Sequence, residues 1–286
     1  MKYEEIIRKI KNLEIQGAQN IAVKGIEAFG MKLKETKDEN KLKAYAKEVI
    51  STRETEPALR NGVKFCLSNR NKLKDPAKEA IKYFSDSKKK IVEYGAKKIK
   101  NGMKVFTHCH SSTVTAILIQ AKKNGVKFEV YNTETRPKFQ GRITAEELAK
   151  AGIKVTHMVD SAGRSMIKKC DLFLFGCDAI TSEGFLINKI GTEALADACF
   201  EAGIPAYSCT SAWKLDTETL LGAEEKIEQR NPKEVWDRAP KNVKIYNPAF
   251  EIVRPDKFTG IISELGVFKA ESMALEFQKA YPYLMP

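Results

Sequence analysis

The chain has 286 residues, enough for one large α/β domain or an α/β domain carrying a smaller one, and a chain of about this length can bury roughly 75% of its unfolded surface without staples. Hydrophobic residues make up 43% and charged residues 30%, which excludes a wholly disordered chain. No run approaches the roughly 18 apolar residues of a membrane span, and the N-terminus MKYEEIIRKI lacks a signal-peptide apolar region, so a cytoplasmic protein with no membrane partner is expected. The net charge is +12, but residues 1–100 hold 25 Lys+Arg against 14 Asp+Glu, while residues 101–286 hold 24 against 23. The basic character therefore sits in the first third. Aromatic residues are not interleaved with it as stacking on single strands needs, so nucleic acid is not expected as a direct ligand.

In chain order, the first hundred residues read as helices. Ile6, Ile7, Ile10 and Leu13 form an apolar stripe at helical spacing that ends near Gly17. A second helix runs from Ala18 to about Lys34, Leu42 to Val49 mark a third, and Ala58 to Leu67 a fourth. Asp75 and Pro76 suit the cap and first turn of a fifth, which is expected to reach Asn101-Gly102.

Beyond Gly102 short apolar runs alternate with helical ones. Strands are expected at Met103–Thr107, Phe128–Tyr131, Val155–Val159, Leu172–Phe175 and Pro205–Ser208, with helices near 112–124, 144–151, 161–169 and 189–202 between them. Val243–Tyr246 and Thr259–Ile262 read as later strands and Ala270–Ala280 as a closing helix. Alternation of this kind implies a doubly wound, mainly parallel sheet. The expected organisation is a helical N-terminal domain over 1–102 and a Rossmann-like α/β domain over 103–286, a fold of the α/β class.

Six cysteines, at 66, 109, 170, 177, 199 and 209, form no C-x-x-C pair and are expected to be free thiols, most of them small buried hydrophobes. No G-x-G-x-x-G follows the first strand, and no Walker A loop or H-E-x-x-H is present, so dehydrogenase, kinase and NTPase readings lose support.

Ligands of open parallel sheets bind beyond the carboxyl ends of the strands. Cys109 lies at such an end, in T-H-C-H-S-S-T (107–113). A helix N-terminus there would lower its pKa, and Ser111, Ser112 and Thr113 could hold a phosphate. A packed thiol beside an ordinary N-cap is the plainer reading. A metal site at His108 and His110 has only His157 as a third histidine and no recognisable spacing; no metal is expected. Arg136, Lys138 and Arg142 follow the second strand and could surround a phosphoryl group. Asp178 follows the apolar Leu172–Phe175, where desolvation would let a carboxyl carry a proton near neutrality; capping the next turn is the alternative. Asn188, Lys189 and Lys214 are polar residues near further strand–helix junctions. A base, a proton shuttle and phosphate clamps at one sheet edge are what an aldose–ketose isomerase of phosphorylated sugars needs, and that chemistry needs no cofactor.

With these residues in place, the sequence resembles the superfamily that joins ribose-1,5-bisphosphate isomerases, methylthioribose-1-phosphate isomerases and the regulatory subunits of translation initiation factor 2B. The resemblance rests on THCHS (107–111), TETRPKFQG (133–141), GCDAI (176–180), INKIGT (187–192) and the Lys214 region, and is closest to the archaeal ribose-1,5-bisphosphate isomerases. It implies a Rossmann-like domain that dimerises, Cys109 and Asp178 as the catalytic pair, and Gly17, Ala18, Arg53, Ser111, Ser112, Thr113, Arg136, Asn188, Lys189 and Lys214 around a phosphorylated pentose. A non-catalytic subunit that senses a nucleotide or sugar phosphate is the other function within this superfamily; such subunits commonly lack the cysteine. Two departures stand out. The family's Arg-Gly-Ala reads Gln16-Gly17-Ala18, and its Thr-Arg-Pro reads Thr52-Arg53-Glu54.

Overall fold

The computed structural model describes residues 1–15 and 17–286, so the expectation concerning Gln16 lies outside the described residues. The helical opening consists of α1 (Tyr3–Lys11), α2 (Ala18–Glu35), α3 (Glu39–Ser51), α4 (Pro57–Asn69) and α5 (Pro76–Ala96). The stripe of α1 is buried through Ile6, Ile7 and Ile10. Asp38 caps α3 by accepting from the Asn40 and Lys41 amides, and Asp75 caps α5 by accepting from the Lys78 amide. Helix α5 stops at Ala96, short of the expected Gly102. Its last turn tightens through i to i−3 bonds, Lys98 N–H to Gly95 O and Ile99 N–H to Ala96 O, which bury Ile99 against the sheet. Gly102 is left-handed at φ 84° and opens the first strand instead.

The remaining chain alternates: β1 (Lys104–Thr107), α6 (Ser112–Lys123), β2 (Glu129–Thr133), α7 (Gln140–Lys150), β3 (Lys154–Met158), α8 (Gly163–Ile167), β4 (Leu172–Phe175), β5 (Ala179–Ile180), β6 (Leu186–Lys189), α9 (Thr192–Ala202), β7 (Ala206–Cys209), β8 (Phe250–Val253), β9 (Gly260–Ser263), β10 (Gly266–Phe268) and α10 (Met273–Ala280). The main sheet runs β10-β9-β7-β4-β1-β2-β3. Every pairing in it is parallel except β9 with β10. A smaller antiparallel sheet, β5-β6-β8, lies beside it; β5 and β6 are not among the expected strands, and β5 is only two residues long. The strand expected at Val243–Tyr246 does not form. Val243 and Tyr246 are exposed, with no core to face. The stretch after them pairs backward instead, through Arg230 N–H to Asn247 O and Ala249 N–H to Glu228 O.

One continuous core joins the helices to the sheet, from Tyr3 through Phe106, Phe173 and Phe175 to Leu284. Tyr83 of α5 stacks on Trp213 beyond β7 with ring centroids 3.8 Å apart. Asn61 of α4 donates from Nδ2 to the carbonyls of Trp213 and Leu215, both at 2.8 Å, and the buried Arg60 pairs with Asp216. These contacts hold the helical layer against the segment that leaves the carboxyl end of β7. All six cysteines are free and five are buried. Among the described residues, no helix is long and apolar enough to cross a membrane.

Candidate active site

From β1 the chain steps outward one way, through β2 to β3. From β4 it steps the other way, through β7 to β9. Strands β1 and β4 are neighbours, with Val105 opposite Leu172 and Phe106 opposite Phe173. Their carboxyl ends therefore flank the point where strand order reverses, where such sheets leave a crevice. Cys109 follows β1 and Asp178 follows β4. Between them, a β-carbon built on Gly176 would lie 3.1 Å from the Ser111 Cβ and 3.9 Å from the Asn188 Oδ1. The β1–α6 turn, the segment after β4 and strand β6 thus converge on a residue with no side chain.

The turn bearing Cys109 is strained and held from several sides. Cys109 sits at φ 65° and Thr135 at φ 62°, in a region costly for residues with a β-carbon. The Cys109 amide donates to Thr135 Oγ1 at 3.0 Å, and Thr144 Oγ1 donates to the Cys109 carbonyl at 2.9 Å. Thr135 is fixed in turn by Asp160, whose carboxylate accepts from the Thr135 and Arg136 amides at 2.8 and 2.7 Å. Helix α7 can start this close only because residue 141 is glycine: a β-carbon there would lie 1.8 Å from the Thr133 carbonyl oxygen.

The two neighbouring histidines are structural partners of this turn. His108 is buried, with Nδ1 2.6 Å from Thr133 Oγ1 and Nε2 2.9 Å from the Ile190 carbonyl. A carbonyl only accepts, so Nε2 carries the hydrogen and Nδ1 accepts from Thr133; burial lowers the pKa of the ring, which favours this neutral form. His110 Nδ1 is 3.1 Å from Thr144 Oγ1. Among the described residues, no cluster of three or more His, Cys, Asp and Glu is arranged to hold a metal ion.

The Cys109 thiol contradicts one sequence expectation. Burial pushes its pKa up to about 11, against a smaller downward pull from the Lys189 charge and the His110 amide, with the Asp178 and Asp160 carboxylates adding to the rise. The helix that was to lower it begins at Ser112, with Ser111 as N-cap accepting from the Val114 amide at 3.4 Å. Cys109 lies beyond that first turn, where the dipole has faded, and desolvation prevails.

The expected substrate-binding residues fall into three groups. Ser111, Thr113 and Lys214 line one small cavity together with Gln19, Lys88 and Ser211. Gly17 and Ala18 lead into it as the N-cap and first residue of α2. Lys214 Nζ donates to the Cys177 carbonyl, beside Asp178. Asn188 and Lys189 end strand β6, where Asn188 Nδ2 donates to Thr192 Oγ1 at 3.0 Å and Lys189 lies 4.6 Å from the Phe250 ring centre. Arg53, Ser112 and Arg136 are placed differently. Arg53 is paired with Glu228 at 3.0 Å and Glu56 at 3.8 Å. Ser112 is exposed at the start of α6. Arg136 is exposed, donates to the Val235 carbonyl at 3.1 Å and lies 5.1 Å from the Phe139 ring centre. Of the other cations in its loop, Lys138 pairs with Glu234 and Arg142 with Glu134. A second cavity, of about 280 Å³, lies apart from this crevice, among Leu33, Lys34, Arg70 and Lys74 of the helical layer.

Sequence reasoning missed Glu56, the N-cap residue of α4. It is buried, makes no capping bond, and leaves Oε2 without a hydrogen-bond partner. Burial, reinforced by the Asp178 charge, raises its pKa to about 8 against the lowering effect of Lys214 and Arg53. The only sequence signal was an acid directly before Pro57. Lys88 and Thr210 were missed as well: both line the cavity, and Thr210 Oγ1 is buried without a partner.

The chain is similar to known proteins along most of its length. The sequence profile of the "Initiation factor 2 subunit family" matches residues 14–270. The ribose 1,5-bisphosphate isomerase of Archaeoglobus fulgidus is 36% identical over 283 residues, which span 93% of this chain and 90% of that one. The enzyme of the same name from Methanocaldococcus jannaschii is 35% identical over 98% of this chain and 96% of its own. Among solved structures, the translation initiation factor eIF-2B of Pyrococcus horikoshii OT3 superposes with a TM-score of 0.80 at 29% identity, covering 93% of this chain and 96% of that one. Strand order, the crevice at its reversal and similarity along nearly the whole length all lead to one assignment: this chain belongs to the initiation factor 2 subunit family.

Proposed function

We propose that the chain is an aldose–ketose isomerase acting on a phosphorylated pentose, and that it converts ribose 1,5-bisphosphate to ribulose 1,5-bisphosphate. The observation that carries the reading is the pairing of Cys109 and Asp178 at the two adjacent strand ends where the sheet reverses, beside a cavity lined by hydroxyls and two lysines. The relatives named ribose 1,5-bisphosphate isomerase support it over most of the chain's length. The sensor alternative gains no specific observation.

In the proposed reaction Asp178 first gives a proton to the ring oxygen as the sugar ring opens. Cys109, as thiolate, removes the C2 proton. Asp178 then takes the proton of the C2 hydroxyl as the carbonyl forms there, and the Cys109 thiol returns its proton to C1. The sum is an isomerisation, with no net oxidation and no group transferred. The thiol of the free site is protonated, so it must lose its proton to solvent before it can act. Lys189, whose charge favours the thiolate, is the group that assists this. Ser111, Thr113 and Lys214 hold a phosphate, as oriented hydroxyls and a cation at a helix N-terminus can. Residues 103–286 are proposed to carry both the reaction and the contacts of a homodimer or larger assembly, with residues 1–102 as a helical cover.

Turnover of a panel of pentose phosphates by the purified protein tests the reading. Ribulose 1,5-bisphosphate should accumulate from ribose 1,5-bisphosphate without added metal or nucleotide cofactor. Binding of these sugars with no turnover of any would refute it.

A further inference from the structure

The two polar corners of the crevice differ in whether a carboxylate holds the cation. The cavity beside Ser111 and Thr113 has Lys88 and Lys214 in its wall and no carboxylate. It also holds a buried hydroxyl, Thr210 Oγ1, with no partner of its own. The other corner is built on Arg53. There the guanidinium is already engaged by Glu228 at 3.0 Å, with Glu56 at 3.8 Å. Glu228 also lies 3.8 Å from Arg230, while burial holds Glu56 toward its neutral form, so Glu228 is the carboxylate that engages Arg53. Glu228 is not a wandering surface side chain. Its carbonyl accepts from the Ala249 amide at 2.8 Å, and the Arg230 amide beside it donates to Asn247 at 2.8 Å.

A phosphate that came to Arg53 would have to displace a fixed carboxylate or share the guanidinium with it. We propose that Glu228 is a specificity-determining residue: by holding Arg53 it weakens the site's grip on a second phosphate, and leaves phosphate anchoring to the hydroxyl-lined cavity. The inference rests on the isomerase reading above and refines its substrate class. The site takes singly phosphorylated pentoses nearly as well as the bisphosphate. The burial that drives Glu56 toward its neutral form limits the cost of keeping this acid beside Asp178.

The test compares kcat/KM for ribose 1,5-bisphosphate with the better of ribose 1-phosphate and ribose 5-phosphate. Wild type, Glu228→Gln and Glu56→Gln are assayed in parallel. In wild type the bisphosphate should be preferred by less than about tenfold; Glu228→Gln should widen that preference by about tenfold, the effect of one released charge-assisted bond to phosphate, and Glu56→Gln, which removes no charge at neutral pH, should not. A ratio that stays the same or narrows in Glu228→Gln overturns the proposal, as does a wild-type preference beyond about a thousandfold. Glu228 lies on a surface segment, so its variant tests the idea even if Glu56→Gln folds poorly. Calorimetric binding of ribulose 1,5-bisphosphate and ribulose 5-phosphate to the same proteins separates the two readings. If no sugar is turned over, the isomerase reading fails. The carboxylate claim then stands or falls on whether Glu228→Gln tightens the bisphosphate about tenfold more than the monophosphate.

Discussion

The crevice has two unlike walls. The sheet wall is made of short turns after β1 and β4, each fixed by backbone and hydroxyl bonds such as Thr135 to Cys109 and Asp160 to Thr135. The helical wall is made of long side chains that reach in from the turn before α4 and from the 220s segment, and it is organised by charge around Arg53. The difference suggests a division of labour. Proton transfer tolerates little positional error, so it belongs on the rigid wall. Recognition of charge acts over longer distances, so it can change on the other wall without disturbing the chemistry.

The largest expected effect breaks the rigid wall. Cys109→Ser keeps the size but offers a far weaker base, so turnover should fall by about 10²–10⁴-fold with the fold intact. Steady-state kinetics beside a circular dichroism spectrum checks this, and near-full activity would remove Cys109 from the mechanism. A second effect belongs to the point where the walls meet. Lys214 faces both the cavity and the Asp178 segment, so Lys214→Ala should raise KM for a phosphorylated pentose by roughly 10–100-fold, the worth of about 1.5–3 kcal/mol for a charge-assisted bond. An unchanged KM would move the phosphate elsewhere.

Two smaller effects concern titration. The Cys109 pKa of about 11 means that thiolate is scarce at neutral pH and increases as pH rises. Alkylation of Cys109 in the free protein, followed by mass spectrometry, should therefore be slow at pH 7 and speed up about tenfold per pH unit until near pH 10. Rapid labelling at pH 7 would mean that the thiol is activated without substrate. Glu56 titrates at about 8 in the folded chain against an ordinary 4.5, chiefly through burial. Between those values the folded chain holds a proton that the unfolded chain has released. Its contribution is thus fully present below about pH 4.5 and lost as pH rises through about 8. Glu56→Gln removes that loss, so the melting temperature of the variant relative to wild type should be higher at pH 9 than at pH 5, by on the order of 2–4 °C. A difference independent of pH would mean that Glu56 is ionised throughout.

How far the two walls could be read from sequence differs for the same physical reason. Cys109 and Asp178 each follow an apolar strand, and their placement needs only strand, turn and the rule that ligands lie at carboxyl ends. Leu172–Phe175 forms a strand with the expected bounds, and Asp178 follows from it. The helical wall depends on contacts between residues far apart in the chain, such as Arg53 with Glu228 and Arg60 with Asp216. No local period encodes these, so Glu56 read as an ordinary acid before a helix. The thiol shift was misjudged because a turn's position in sequence does not reveal its burial. Val243–Tyr246 misled in the opposite way: an apolar run with no core to face makes no strand.

The central claim is that the Cys109–Asp178 wall performs proton transfer and that this chain is more than a sensor. Asp178→Asn tests it most directly, because the amide is nearly isosteric and can hydrogen-bond but cannot exchange a proton. Calorimetric binding and turnover of ribose 1,5-bisphosphate should be measured side by side on wild type and variant. The account predicts turnover by wild type, and in Asp178→Asn near-normal binding with activity abolished. Normal turnover by the variant would reduce Asp178 to a structural cap, and a wild type that binds the sugar yet converts none of it would contradict the isomerase account altogether.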